Sequence, residues 1–190
     1  MALYDLSDPD VFLPPQMVID TSLLLALRPG DDNPYVGPAR AFVQRLSEQI
    51  ARLEMIAWLP LPVFQECAHI ILANGLRRIW QAMDPIGRPQ NGLLVYKKQP
   101  EILNTCLPEL DRFRNLLAAI PLTPVRLDDL ADSDRIQPLE RRMERFITIY
   151  HLLPQDALIL SEAEGIGVKA VATLDQDWHR VDSFDVYTCL

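Results

Sequence analysis

LLPQDALILSEAEGIGVKAVATLDQDW, residues 152–178, decides how the rest of the chain is read. Its first half predicts a short helix that opens at Asp156 and stops near Gly165. Gly165–Gly167 supplies a turn, and Ala170–Thr173 predicts a buried strand. That strand delivers Asp175 and Asp177 to its carboxyl end. One helix start and one strand end therefore each present carboxylates.

The same grammar recurs upstream. In MVIDTSLLLALRPG, the apolar run Met17–Ile19 reads as a buried strand that ends at Asp20, with a helix starting in Asp20-Thr21-Ser22 and stopping at Arg28-Pro29-Gly30. A second helix is expected from Gly37 to Leu53, with Phe42, Leu46, Ile50 and Leu53 inward. Met55–Leu59 reads as a strand. Pro62 suits the first turn of the helix that carries Glu66 and Cys67, and Gly75 is its expected stop. Residues 76–105 hold Pro85, Gly87, Pro89, Gly92 and Pro100 around an apolar patch, Leu93–Tyr96, and predict helix fragments and loops. Glu101–Ile120 predicts a helix that Pro108 kinks or divides. A short strand is expected at Val125–Leu127, an amphipathic helix over Leu139–Tyr150 with Arg141, Arg142 and Arg145 toward water, and a last strand at Phe184–Tyr187. Residues 1–15 read as a loose lead-in.

Short apolar strands alternating with helices imply an α/β fold with a parallel sheet covered on both faces. Ligands of such sheets bind beyond the carboxyl ends of the strands. At 190 residues the chain reads as one domain, or one domain with an insertion. No apolar run approaches the roughly 18 residues of a membrane span. The opening MALYDLSDPD lacks the basic-then-apolar order of a secretory signal, so a cytoplasmic protein is expected. Cys67, Cys106 and Cys189 form no paired motif, which argues against a disulfide framework or a zinc site. His69, His151 and His179 show no metal-ligand spacing. The net charge of −8 is the reverse of what a nucleic-acid binder usually carries. Either nucleic acid is not the ligand, or a local basic face and bound cations offset an acidic site.

Each carboxylate has an ordinary structural reading. Asp20 suits a helix N-cap, Glu66 and Asp156 suit first helical turns, and Asp175 and Asp177 suit a turn. Jointly they are less ordinary. In a parallel sheet they point to one edge, where mutual repulsion would raise their pKa values. Divalent cations gain from such an edge, because Mg²⁺ and Mn²⁺ prefer hard oxygen ligands. Two such ions can hold a phosphodiester and activate water without a histidine or serine nucleophile.

These residues resemble the PIN-domain family. MVIDTS is similar to its first acidic motif, LPVFQE to its second, LPQDALILSEAEGIG to its third and VATLDQDW to its fourth, in the family's order from about residue 16 to 188. The resemblance implies a doubly wound three-layer sandwich around a parallel sheet of about five strands. It implies a Mg²⁺- or Mn²⁺-dependent endoribonuclease, with Asp20, Glu66, Asp156 and Asp175 at the acidic positions, Asp177 as a helper ligand, and Ser22 and Thr173 as polar neighbours. Many bacterial members are toxins of VapC-type toxin–antitoxin pairs, so an antitoxin partner and a homodimer are implied as well. The interval from Glu66 to Asp156 is longer than the family's usual one, with a helical insertion expected near 75–105 that shapes substrate choice, a dimer surface or an antitoxin groove. Arg77, Arg78, Lys97, Lys98, Arg141, Arg142 and Arg145 are candidate phosphate contacts. The rival readings are a PIN-like scaffold that binds RNA or protein without cutting, and an unrelated phosphatase or nucleotide-binding α/β protein.

Overall fold

The computed structural model describes residues 2–28, 34–86, 88–125 and 137–190. Two compact units make up the chain: residues 1–64 with 120–190, and residues 65–119.

Among the described residues, the first unit holds a six-stranded, all-parallel sheet flanked by helices. Its strands are β1 (Leu3–Asp5), β2 (Gln16–Ile19), β3 (Ile56–Leu59), β4 (Thr123–Pro124), β5 (Ala170–Ala172) and β6 (Asp185–Thr188), in the spatial order β1-β6-β5-β2-β3-β4. Its helices among the described residues are α1 (Thr21–Ala26), α2 (Val36–Ala51), α6 (Leu139–Tyr150) and α7 (Pro154–Gly165). The central strands are buried along their length: Met17, Val18 and Ile19 in β2, and Ala170, Val171 and Ala172 in β5. That is the signature of parallel strands covered on both faces.

The order of the strands fixes where a site belongs. From β2 the chain steps to β3 and β4 on one side. It then returns to β5 and β6 on the other. The reversal lies between β2 and β5, which pair with Val18 opposite Val171 and Ile19 opposite Ala172. A crevice outside the carboxyl ends of two strands at such a reversal is where open α/β sheets bind ligands. The residues that follow these two strands are Asp20 and Thr173.

Several expectations are corrected. The sheet has six strands rather than five, because Leu3–Asp5 of the supposed lead-in pairs with β6 in parallel register, Leu3 opposite Val186. A three-residue edge strand shows too little alternation to be seen in sequence. Of the strand expected at Val125–Leu127, Val125 follows the observed strand Thr123–Pro124, and residues 126 and 127 lie outside the described residues, as do residues 29–33 and 87. Pro124 is accommodated because β4 is an edge strand. Leu53, expected inward, is 93% exposed, since α2 ends before it at Ala51. Arg142, expected in water, is buried: its Nε donates to the Ser161 carbonyl at 3.0 Å and its Nη1 to the Gln137 carbonyl at 2.6 Å. It is a brace between α6 and α7 rather than a surface cation, and Arg145 of the same helix pairs with Glu164.

The helix α3 (Leu61–Ala82) begins in the first unit and runs into the second, which also holds α4 (Gly92–Lys98), a 3-10 turn (Pro100–Thr105) and α5 (Leu107–Ala118). Pro108 indeed divides the expected Glu101–Ile120 helix, lying in the first turn of α5. Gly75 does not stop α3. It lets the helix approach its neighbour, because a Cβ there would stand 2.6 Å from Cys106 Sγ. Gly→Ala inside a helix ordinarily gains about 1 kcal/mol. At Gly75 we expect the opposite, a loss of about 1–3 kcal/mol from overpacking. Urea unfolding of Gly75→Ala checks this, and a midpoint above wild type contradicts the close packing.

Candidate functional site

The site forms where β2 and β5 end side by side. The Asp20 backbone N–H donates to the Ala172 carbonyl at 3.0 Å, so the ladder continues one residue past the end of β2. Asp20 then leaves the sheet in extended conformation and caps α1. Its Oδ2 accepts three bonds: from Ser22 Oγ at 2.6 Å, Ser22 N at 3.2 Å and Thr173 Oγ1 at 2.7 Å. Thr173 is held in turn by its own N–H on the Tyr187 carbonyl at 2.9 Å. Each hydroxyl has one hydrogen to give, and both go to Asp20. The hydroxyl oxygens therefore act as acceptors elsewhere: Ser22 Oγ from Leu174 N at 2.8 Å, and Thr173 Oγ1 from Asp175 N at 3.0 Å. Two side chains 151 positions apart in sequence thus fix the loop that follows β5 against the cap that follows β2.

Asp20 is only 3% exposed, and Thr173 is fully buried. Burial pushes the Asp20 carboxyl above its ordinary range, and the Ser22 and Thr173 hydrogen bonds pull against that rise. The group is held by donors that favour the anion in a place where the anion is costly. A nearby cation would relieve that conflict.

The other expected residues fall around this centre unequally. Asp175 caps the 3-10 turn Gln176–Arg180, its Oδ1 accepting from Asp177 N at 2.9 Å, and stays half-buried. Asp177 is exposed and turns to Arg180 at 3.4 Å. Asp156 is buried in the first turn of α7. Glu66 lies on α3 in the second unit, half-buried. Ser22 and Thr173 are joined directly to Asp20. Among the described residues, no group of three or more His, Cys, Asp or Glu side chains is gathered closely enough to hold a metal ion.

Of the expected phosphate contacts, Arg141 pairs with Glu144 at 3.0 Å, Arg145 with Glu164, and Arg78 with Glu109. Arg77 is exposed, as are Lys97 and Lys98.

One acid escaped the sequence reading. Glu162 is 5% exposed, with its Oε2 accepting from Leu61 N at 3.3 Å at the start of α3. Burial pushes its carboxyl up to about 7, against the pull of that backbone donor. Its neighbours Leu160, Ser161 and Ala163 are also buried. The signal was present in the run ALILSEA, which is too apolar for a helix with a wet face.

Among the described residues no helix is long and apolar enough to cross a membrane. No protein-family model matches the chain, and no curated protein matches it.

Proposed function

We propose that the protein is a metal-dependent endoribonuclease of PIN type, with its reaction centre at the carboxyl ends of β2 and β5. The observation that supports this reading most is the Asp20 centre: a nearly dry carboxylate, positioned by two hydroxyls, at the reversal point of a parallel sheet. The order of the four acidic motifs along the chain supports it independently. The donor set suits Mg²⁺ or Mn²⁺, which take hard oxygens and are often bound through one or two carboxylates with several waters retained. Asp20 would hold the ion, and Asp156 and Asp175 would act on its waters. A bound ion of this class lowers the pKa of coordinated water and neutralises charge on the phosphodiester. Ser22 and Thr173 keep the Asp20 carboxylate in one orientation. The same reading extends to a homodimer and an inhibitory protein partner, as in VapC-type pairs.

A second reading is a PIN-like scaffold that binds without cutting. It is favoured by the three protein donors already on Asp20 Oδ2, which are what a purely structural cap would collect.

Metal removal separates the two. On the nuclease reading, the protein in Mn²⁺ shortens total RNA, EDTA stops the cleavage, and excess Mn²⁺ restores it. Gel analysis that shows intact RNA in every lane, or cleavage indifferent to EDTA, removes the nuclease reading.

A further inference from the structure

The second unit contains a pocket of about 510 Å³, and every described residue lining it belongs to that unit. One wall is a face of α3, where His69, Leu76, Arg77 and Trp80 recur at helical spacing. The other comes chiefly from α4, through Leu93 and Tyr96. We propose that this pocket is a binding site for a small carboxylic acid with a flat, apolar body.

The volume lies in the range of roughly 300–1,000 Å³ typical of small-molecule sites. The lining is mostly aliphatic and aromatic, which selects an apolar body, and the Trp80 and Tyr96 rings favour a planar one. Among the described residues no Asp or Glu lines the pocket, whereas Arg77 and His69 both do. A guanidinium matches a carboxylate with two parallel hydrogen bonds, and imidazole has an N–H to add. Arg77 has no acidic partner among the described residues, while its neighbour Arg78 is committed to Glu109. The charge of the unit agrees. Residues 65–119 hold seven Lys and Arg against five Asp and Glu, so they are net positive in a chain of net charge −8. An anion is therefore drawn to this part of the protein.

The walls are also built in advance. Trp80 Nε1 donates to the Pro89 carbonyl at 2.6 Å, and the Arg88 guanidinium lies 4.5 Å from the Trp80 ring centre. The indole is therefore held before any ligand arrives. Gly92 brings the start of α4 so near α3 that a Cβ would stand 3.0 Å from the Leu76 carbonyl oxygen. Fixed walls reduce the ordering cost of binding. The assignment does not rest on the ribonuclease reading.

Calorimetry with the full chain tests it, using 1-naphthaleneacetate and its uncharged amide as probes. The acid should bind, and the amide should bind at least about tenfold more weakly, as expected for loss of a charge-assisted hydrogen bond. Arg77→Gln should weaken the acid by a similar factor and leave the amide unchanged. Arg78→Gln, on a side chain paired elsewhere, should change neither. Both arginines are exposed, so both variants should keep the wild-type circular dichroism spectrum. Failure of the acid to bind, equal affinity for acid and amide, or equal losses in the two variants would overturn the assignment. Tighter binding of uridine monophosphate than of the acid would overturn it too, by making the pocket a nucleotide seat.

Discussion

Asp20→Asn is expected to lower Mn²⁺-dependent RNA cleavage by at least about a hundredfold while making the protein harder to unfold. Even residues that only support metal ligands commonly cost about 10–100-fold when removed, and Asp20 would be a ligand itself. The stability half follows from burial. The folded state holds the Asp20 carboxyl above its ordinary pKa, so ionisation works against folding at neutral pH. Asparagine is neutral, keeps an acceptor oxygen for Ser22 and Thr173, and is as good an N-cap as aspartate. We expect a gain of about 0.5–2 kcal/mol at pH 7.5, the range common when a functional strain is removed. Cleavage assays and urea unfolding on the same preparation check both halves. Unchanged cleavage would show that the carboxylate is only a cap. A loss of both activity and stability would show that Asn cannot keep the hydrogen bonds, and Asp20→Glu would then be the variant to assay.

The second large effect lies away from that centre, at Glu162. Its folded pKa, near 7, is above the ordinary 4.5. Below about pH 4.5 both folded and unfolded chains carry the proton, and the stabilising contribution is complete. As pH rises toward 7 the unfolded chain releases its proton while the folded chain keeps it, so stability falls. Above about 7 the contribution is gone. The separation amounts to at most about 3 kcal/mol. Glu162→Gln should remove this slope. The amide is neutral at every pH and retains an oxygen for Leu61 N–H. Unfolding midpoints should therefore coincide at pH 4, and the variant should be more stable by about 1–3 kcal/mol at pH 8. Equal midpoints at pH 8 would show that Glu162 is charged and well solvated in the folded protein.

The central strands were legible because they obey a simple rule. VID and AVAT are apolar to their last residue and then end on a polar side chain, which is what a strand buried on both faces must do. The helix α7 was legible from its Gly165 stop, although it starts at Pro154, two residues before the expected opening at Asp156. Edge elements were harder. Leu3–Asp5 earns its place only by pairing with β6, a partner 183 residues on, and local pattern carries no trace of it. Gly75 misled because glycine both ends helices and permits close packing, and only the position of Cys106 decides between them. At the site, the residue types and their order were readable; the place of Ser22 and Thr173 beside Asp20 came from the family resemblance, and the expected gathering of the carboxylates does not appear among the described residues. Orientation was not readable. Whether Asp177 faces an ion or Arg180 depends on one turn of 3-10 helix. Arg142 looked like a surface residue because α6 carries charge on several sides, yet its guanidinium finds two carbonyls within the fold.

The neighbour relation of β2 and β5 also bears on how the chain is made. Val18 and Val171 pair directly, although some 150 residues separate them. Contacts of such long range are slow to form, because the intervening loop must close first. At about 5–20 residues per second, a ribosome needs roughly 8–30 s to deliver β5 after β2. For that interval Met17, Val18 and Ile19 have one flank without its native mate. The nascent chain is then a natural client for chaperones, and synonymous codons between the two strands gain a means to alter its yield.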